Sequence, residues 1–325
     1  MNRLTVLLSI LVLGLLASTA AAQSEVRWDG SSTVYPVSLA IAEEFQFEFP
    51  DVRDVSVAFS GTGAGFEKFC RGETDATGAS RPIKASEVEL CEENGIEFIE
   101  TPVAADGLSV MVNPDNDFVQ CLTVDELNRL WRPDSDVSTW ADIRADWPAE
   151  EIELYGAGTD SGTFDYFTEA INGDSGAIRT DFFPSEDDNV LVQGIAGNVN
   201  ALGFFGYAYY LENVDRLKLV AVDGGDGCIE PSAETIASNT YVPLSRPLFE
   251  YWNLERVESN PTVAELGEFA FSPQARGAIA ETGYLVYDDA VYEAILERFD
   301  NRVTGTAFLD FQPGDSVVDA VRSVE

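Results

Sequence analysis

The stretch Val26-Arg27-Trp28-Asp29-Gly30-Ser31-Ser32-Thr33-Val34-Tyr35-Pro36 reads as the start of a strand–loop–helix unit, and it decides the fold class. Val26 to Trp28 make a short strand, and Asp29 to Thr33 supply the glycine and hydroxyls of a loop. Val37, Ile41 and Phe45 then fall on one face of a helix. Pro36 suits the first turn of that helix, where its missing N–H costs nothing. The pattern recurs twice. Val55 to Phe59 alternates as a strand should and runs into Ser60-Gly-Thr-Gly-Ala-Gly65, after which Phe66 and Phe69 open a helix. Ile152 to Tyr155 runs into Gly156-Ala-Gly-Thr-Asp-Ser-Gly-Thr163, after which Phe164, Phe167 and Ile171 mark a buried face. Such units make an α/β fold and place their loops at the carboxyl ends of parallel strands, where open sheets bind ligands.

Each loop ends where a helix begins, and there the first N–H groups have no partner inside the helix. They carry partial positive charge and point outward, which favours an anion. Glycine lets the backbone come close, and Ser or Thr hydroxyls add donors. The plainer reading of any one loop is an ordinary N-cap, since Ser, Thr and Asp are preferred there. Three hydroxyl-rich loops in one chain point instead to a shared oxyanion ligand. A fourth segment, Asp75 to Pro82, adds Arg81 beside Ser80. Arg81 offers a planar fork matched to two oxygens of a phosphate-like group; its plainer reading is a surface arginine paired with a carboxylate.

Competing chemistries lack their residues. The chain has no histidine, which removes the Ser-His-Asp and Cys-His arrangements and imidazole metal ligands. Gly61-Thr62-Gly63 is followed by Phe66 where a dinucleotide fingerprint needs glycine, and the GxxxxGK[ST] loop is absent. Gly158-Thr159-Asp160-Ser161-Gly162 places its serine fourth, so it is not GxSxG. No CxxC pair suggests zinc. The expectation is a binding protein with no catalytic residues, no cofactor and no metal.

Residues 1–22 read as a secretory signal peptide, with Arg3, an apolar run from Leu4 to Leu16 and Ala20-Ala21-Ala22 before Gln23. A periplasmic location follows from that. In an exported chain Cys70, Cys91, Cys121 and Cys228 read as two disulfides. Three pairings are open; 70–91 with 121–228 is favoured because either crossed pairing would tie together lobes that move apart. A net charge of −38 repels nucleic acid and anionic membranes. Only Lys68, Lys84 and Lys218 are lysines, and this acid-rich, lysine-poor surface resembles that of proteins from salt-loving microbes. The length, 325 residues, suits two lobes.

Taken together, Gly30-Ser-Ser-Thr-Val-Tyr-Pro36, Ser60-Gly-Thr-Gly-Ala-Gly65, Ala79-Ser-Arg-Pro82 and Thr159-Asp-Ser-Gly-Thr-Phe164 resemble the phosphate-binding component of the phosphate-specific ABC transporter. The branch is the one common in cyanobacteria. Ser185-Glu-Asp-Asp-Asn-Val-Leu-Val-Gln-Gly194, Gly203-Phe-Phe-Gly-Tyr207 and Pro243-Leu-Ser-Arg-Pro-Leu248 extend the resemblance over nearly the whole chain. It implies a type II periplasmic-binding-protein fold, two α/β lobes joined by crossing strands. Lobe I is expected over residues 23–105 plus 241–325 and lobe II over 106–240.

The resemblance implies that Ser32 binds through its hydroxyl, Thr33 through its amide or hydroxyl, and Thr62 from the second loop. Ser161, Gly162 and Thr163 match the family's Ser-Gly-Thr clamp. Inorganic phosphate is the implied ligand, membrane permease subunits of an ABC transporter the implied partners, and a monomer the expected state. Two positions depart from the family. Many members carry an aspartate, acceptor of the phosphate proton, in the Ser80 segment, where this chain has Arg81. They also carry an arginine ahead of Ser-Gly-Thr, where this chain has Ala157. Asp160 is the first replacement acceptor and Asp106 the second. A binder of sulfate or molybdate is the nearest alternative, and a phosphate-ester hydrolase a more distant one.

Overall fold

The computed structural model describes residues 25–50, 55–159, 161–312 and 314–323. The expected signal peptide and Asp160 lie outside the described residues.

The strands are β1 (Val26–Gly30), β2 (Val55–Val57), β3 (Ala76–Ala79), β4 (Phe98–Val112), β5 (Cys121–Thr123), β6 (Glu153–Ala157), β7 (Phe183–Ser185), β8 (Ala201–Gly206), β9 (Lys218–Asp223), β10 (Cys228–Ile229) and β11 (Ser245–Asn253). The helices up to the second long loop are α1 (Tyr35–Glu48), α2 (Thr62–Cys70) and α3 (Ala85–Glu93). Then come α4 (Val124–Trp131), α5 (Trp140–Ile143), α6 (Gly162–Asn172), α7 (Asp188–Gly197), α8 (Tyr207–Leu211) and α9 (Ala233–Ala237). The last are α10 (Leu254–Ser259), α11 (Pro261–Phe269), α12 (Pro273–Glu281), α13 (Asp289–Asp300) and α14 (Val317–Arg322).

These elements make two α/β lobes joined by crossing strands. In one, β2, β1 and β3 run parallel, and β11 joins β3 antiparallel. In the other, β7, β6 and β8 run parallel, and β9 pairs with β5 and β10. The long strand β4 serves both. Its Phe98–Gly107 half pairs with β11, and its Leu108–Val112 half pairs with β8 and β9. All 15 residues of β4 are buried, as expected of a mostly apolar strand covered on both faces. Two of its polar members are partnered: Tyr251 Oη donates to Glu100 Oε1 at 2.7 Å, and Thr101 Oγ1 donates to the Glu250 carbonyl at 2.7 Å. Unpaired, each buried group would cost about 1–3 kcal/mol.

Local pattern and packing agree where the spacing is regular. Helix α1 buries Val37, Ile41 and Phe45, and α6 buries Phe164, Phe167 and Ile171. Several strand ends differ from the sequence reading. Strand β1 continues through Asp29 and Gly30, because they pair with Thr77 and Gly78 of β3. Strand β2 stops at Val57, because the chain leaves the ladder after Ala58 N donates to the Trp28 carbonyl. Strand β6 continues through Gly156 and Ala157, because its parallel pairing with β7 matches Gly156 to Pro184 and Ala157 to Ser185.

Cys70 is bonded to Cys91, tying α2 to α3, and Cys121 to Cys228, tying β5 to β10 on either side of β9. Each bond stays within one lobe. Among the described residues no helix is long and apolar enough to cross a membrane.

Candidate binding site in the interlobe cleft

The loops after β1, β2, β3 and β6 converge on one cavity of about 200 Å³. One lobe contributes Ser31, Ser32 and Thr33, then Gly61, Thr62 and Gly63, then Ser80 and Arg81; the other contributes Gly162, Asp165, Tyr166 and Glu169 of α6, and Ser175.

Asp29 fixes the first two loops against each other. Its Oδ1 accepts from Gly30 N at 2.7 Å and from Ser60 Oγ at 2.8 Å, and Lys68 pairs with Oδ2. Burial pushes this carboxyl up, but Lys68 and the two donors outweigh it and hold the pKa below the ordinary value. Ser60 N and Gly61 N both donate to the Gly30 carbonyl, at 3.0 and 2.9 Å. The chain can then turn into α2 because Gly61 adopts φ +92°, a region that side chains disfavour.

The helix starts are what an anion needs. Neither α1 nor α2 has a side-chain cap on its first turn, so the leading N–H groups of α2, on Thr62 and Gly63, are offered to the cavity. Thr62 Oγ1 lies 3.2 Å from Ser80 Oγ, so two hydroxyls stand together beside them. Helix α6 is different: Thr163 N donates to Ser161 Oγ at 3.2 Å, which spends the serine's oxygen on the cap and leaves its proton to donate. The lobes approach so closely here that a Cβ at Gly162 would collide with Thr33 Oγ1.

The residue that sequence reasoning missed is Arg246. It lies on β11, opposite Asp106 of β4 in the antiparallel register. Its Nε donates to Asp106 Oδ2 at 3.1 Å, and its Nη2 donates to Thr33 Oγ1 at 3.5 Å. The guanidinium lies 3.7 Å from the centroid of the Tyr166 ring. Arg246 lines the cavity, and among the described residues no hydrogen bond uses its Nη1. The signal was present in Pro243-Leu-Ser-Arg-Pro-Leu248, but only strand pairing brings that segment beside the loops.

Arg81 lines the same cavity with its fork engaged elsewhere. Its Nη1 and Nη2 donate to Glu87 at 2.9 and 2.8 Å, and Nη1 also donates to the Pro82 carbonyl at 3.0 Å. Glu87 sits in the first turn of α3 and also accepts from Lys84 N, so its position is fixed. Asp106 does not line the cavity and holds Arg246 instead. Burial pushes its carboxyl up, opposed by the Arg246 charge.

Both arginines are therefore members of near-neutral pairs. An anion here would be held chiefly by oriented N–H and O–H dipoles rather than by net positive charge. Ser32, Thr33, Thr62, Ser80, Arg81 and Gly162 line one cavity, and Ser161 and Thr163 form the cap beside it. Among the described residues no group of acidic or cysteine side chains is arranged to hold a metal ion.

Two α/β lobes on crossing strands, with helix starts from both facing one small cleft, define a two-lobed solute-binding protein. The comparisons narrow that class. Residues 17–274 match the family model of the PBP superfamily domain. Protein SphX of Synechocystis sp. is 42% identical over 322 residues, covering 98% of this chain and 94% of that protein. The phosphate-binding protein PstS of Staphylococcus saprophyticus is 36% identical over 286 residues, covering 88% and 87%. The crystal structure of a possible phosphate binding protein from Planctomyces limnophilus superposes with a TM-score of 0.80 at 47% identity, covering 86% of this chain and 98% of that one. The chain belongs to the PBP superfamily, in the family of the SphX and PstS proteins, whose members are solute-binding receptors and not enzymes.

Proposed function

We propose that this protein is an extracytoplasmic solute-binding protein that captures inorganic phosphate between its lobes and delivers it to the permease subunits of an ABC importer. The observation that carries the reading is the convergence of the uncapped start of α2, the Ser161-capped start of α6 and Arg246 on one cavity of about 200 Å³. The names of the relatives support phosphate as the anion, since dipoles and hydroxyls alone suit any tetrahedral oxyanion.

Lobe I takes residues 23–105 and 241–325, and lobe II takes 106–240. The change of β4 partner after Gly107 supports that division. Ser32, Thr33, Thr62, Ser80, Arg246, Ser161 and Gly162 bind the anion, and Arg81 with Glu87 shapes its rim. Asp160, next to Ser161 in sequence, takes the proton of monohydrogen phosphate. A carboxylate acceptor rejects fully ionised sulfate, because two acceptors would face each other unpaired. Ligand binding favours the closed arrangement, which docks on the permease as a monomer.

Calorimetric titration with phosphate, sulfate and molybdate tests the reading. The runs belong in about 1 M salt, where the Debye length of about 3 Å screens the acidic surface. Phosphate alone should give a saturable signal; equal binding of sulfate would contradict the assignment. A phosphatase assay with added divalent metals should give no turnover.

A further inference from the structure

The anion cavity has an annexe that free phosphate does not need. A second cavity of about 280 Å³ adjoins it, and Ser80, Arg81, Tyr166, Glu169 and Arg246 line both. The stacked pair of Arg246 on Tyr166 forms the common wall. Beyond that wall the lining turns apolar: Pro82 from one loop, Ala170 of α6, Pro243 and Pro247 flanking Arg246, and Phe311. The volume approaches the lower end, about 300 Å³, of ordinary small-molecule pockets, and the mix of apolar walls with a few convergent polar groups is theirs too.

Resting on the phosphate reading, we infer that the site also takes phosphate monoesters and phosphonates carrying one small uncharged organic group, with that group seated in the annexe. The phosphoryl oxygens stay on the helix starts and Arg246, while the substituent passes the rim of the Arg246–Tyr166 stack onto the prolines and Phe311. The class is bounded on one side by charge. Glu169 faces both chambers, and the annexe brings no cation beyond Arg81 and Arg246 of the shared wall, so a second phosphate or a carboxylate there would be buried without a partner of its own. Pyrophosphate is therefore excluded, and a phenyl or short alkyl group is accepted.

The test is calorimetry on the full protein with inorganic phosphate, phenylphosphonate and pyrophosphate, repeated on Ala170→Trp. Ala170 lines the annexe and not the anion cavity, so the indole should fill only the former. Phenylphosphonate should bind the wild type within about thirtyfold of phosphate, and the variant should lose at least about tenfold for phenylphosphonate while phosphate changes less than about threefold. Retained phosphate binding reports that the variant is folded; should it not fold, Ala170→Leu fills part of the same space with the same expected pattern. Phosphate binding without phenylphosphonate binding in the wild type overturns the inference and leaves the phosphate reading standing. Equal losses for both ligands in the variant overturn it too, and a wild type that binds no phosphate overturns the phosphate reading itself.

Discussion

The Arg246 guanidinium rests on the Tyr166 ring, 3.7 Å from its centroid, so a strand of one lobe touches a helix of the other at the ligand cavity. Tyr166 Oη in turn donates to the Pro243 carbonyl at 2.9 Å, three residues before Arg246. Asp106 on the neighbouring strand sets the rotamer of the arginine from below. An arginine so held needs no reorganisation to meet an anion.

Arg246→Ala should weaken phosphate binding by about tenfold to a hundredfold, the scale of about 1.5–3 kcal/mol for a hydrogen bond to a charged group. Arg81→Ala should cost less, because Glu87 already occupies both Nη atoms of that arginine. Calorimetry on the two variants gives the ranking. A larger loss for Arg81→Ala would return the charge contact to the position that the sequence first suggested.

Gly162→Ala tests lobe closure. The added methyl would meet Thr33 Oγ1 across the cleft, so the closed arrangement should be disfavoured while each lobe keeps its fold. Phosphate affinity should fall at least about tenfold, an overpacking cost of about 1–3 kcal/mol, with little change in thermal midpoint. Unchanged affinity would mean that the lobes are not this close when the ligand is bound.

How much of this was legible beforehand depends on the range of the interactions. The loops at Gly30, Gly61 and Gly158 declare themselves because turn formers, hydroxyls and the following apolar face all lie within about a dozen residues, the scale on which periodicity can be read. The buried faces of α1 and α6 follow for the same reason. Arg246 does not declare itself: its partners Asp106 and Tyr166 are distant in sequence, and only the β4–β11 register brings them together. The engagement of Arg81 by Glu87 was nearer to hand, since Glu87 lies in the first turn of α3, yet the pairing depends on how the 80–84 loop folds back.

The disulfides should differ in worth. By loop-closure entropy, removing Cys121–Cys228, with a sequence separation of 107, should cost about 5 kcal/mol, and removing Cys70–Cys91, with a separation of 21, about 3 kcal/mol. Denaturant unfolding of the two Cys→Ala double variants measures both. The reverse order would place the dominant effect in native packing.

Glu250 gives the molecule a pH dependence. It is buried on β11, and burial pushes its carboxyl up to about 8 even though Ser38 Oγ and Trp28 Nε1 donate to it. The folded pKa lies above the ordinary value of 4.5, so the folded state holds the proton more tightly. That contribution is complete below the ordinary value and is lost as pH rises through about 8. Glu250→Gln keeps the protonated shape, so its thermal midpoint should fall less between about pH 5 and about pH 9 than that of the wild type. Parallel pH profiles for variant and wild type would contradict this.

The central claim, that helix starts from both lobes and Arg246 grip one phosphate in the cleft, is tested most directly by a crystal structure of the protein grown with inorganic phosphate. The predicted result is a tetrahedral anion within hydrogen-bonding distance of Thr62 and Gly63 N, Ser161 Oγ and the Arg246 guanidinium, with Gly162 still packed on Thr33. An anion bound outside that cleft, or held there without contact to Arg246 or α6, would contradict it.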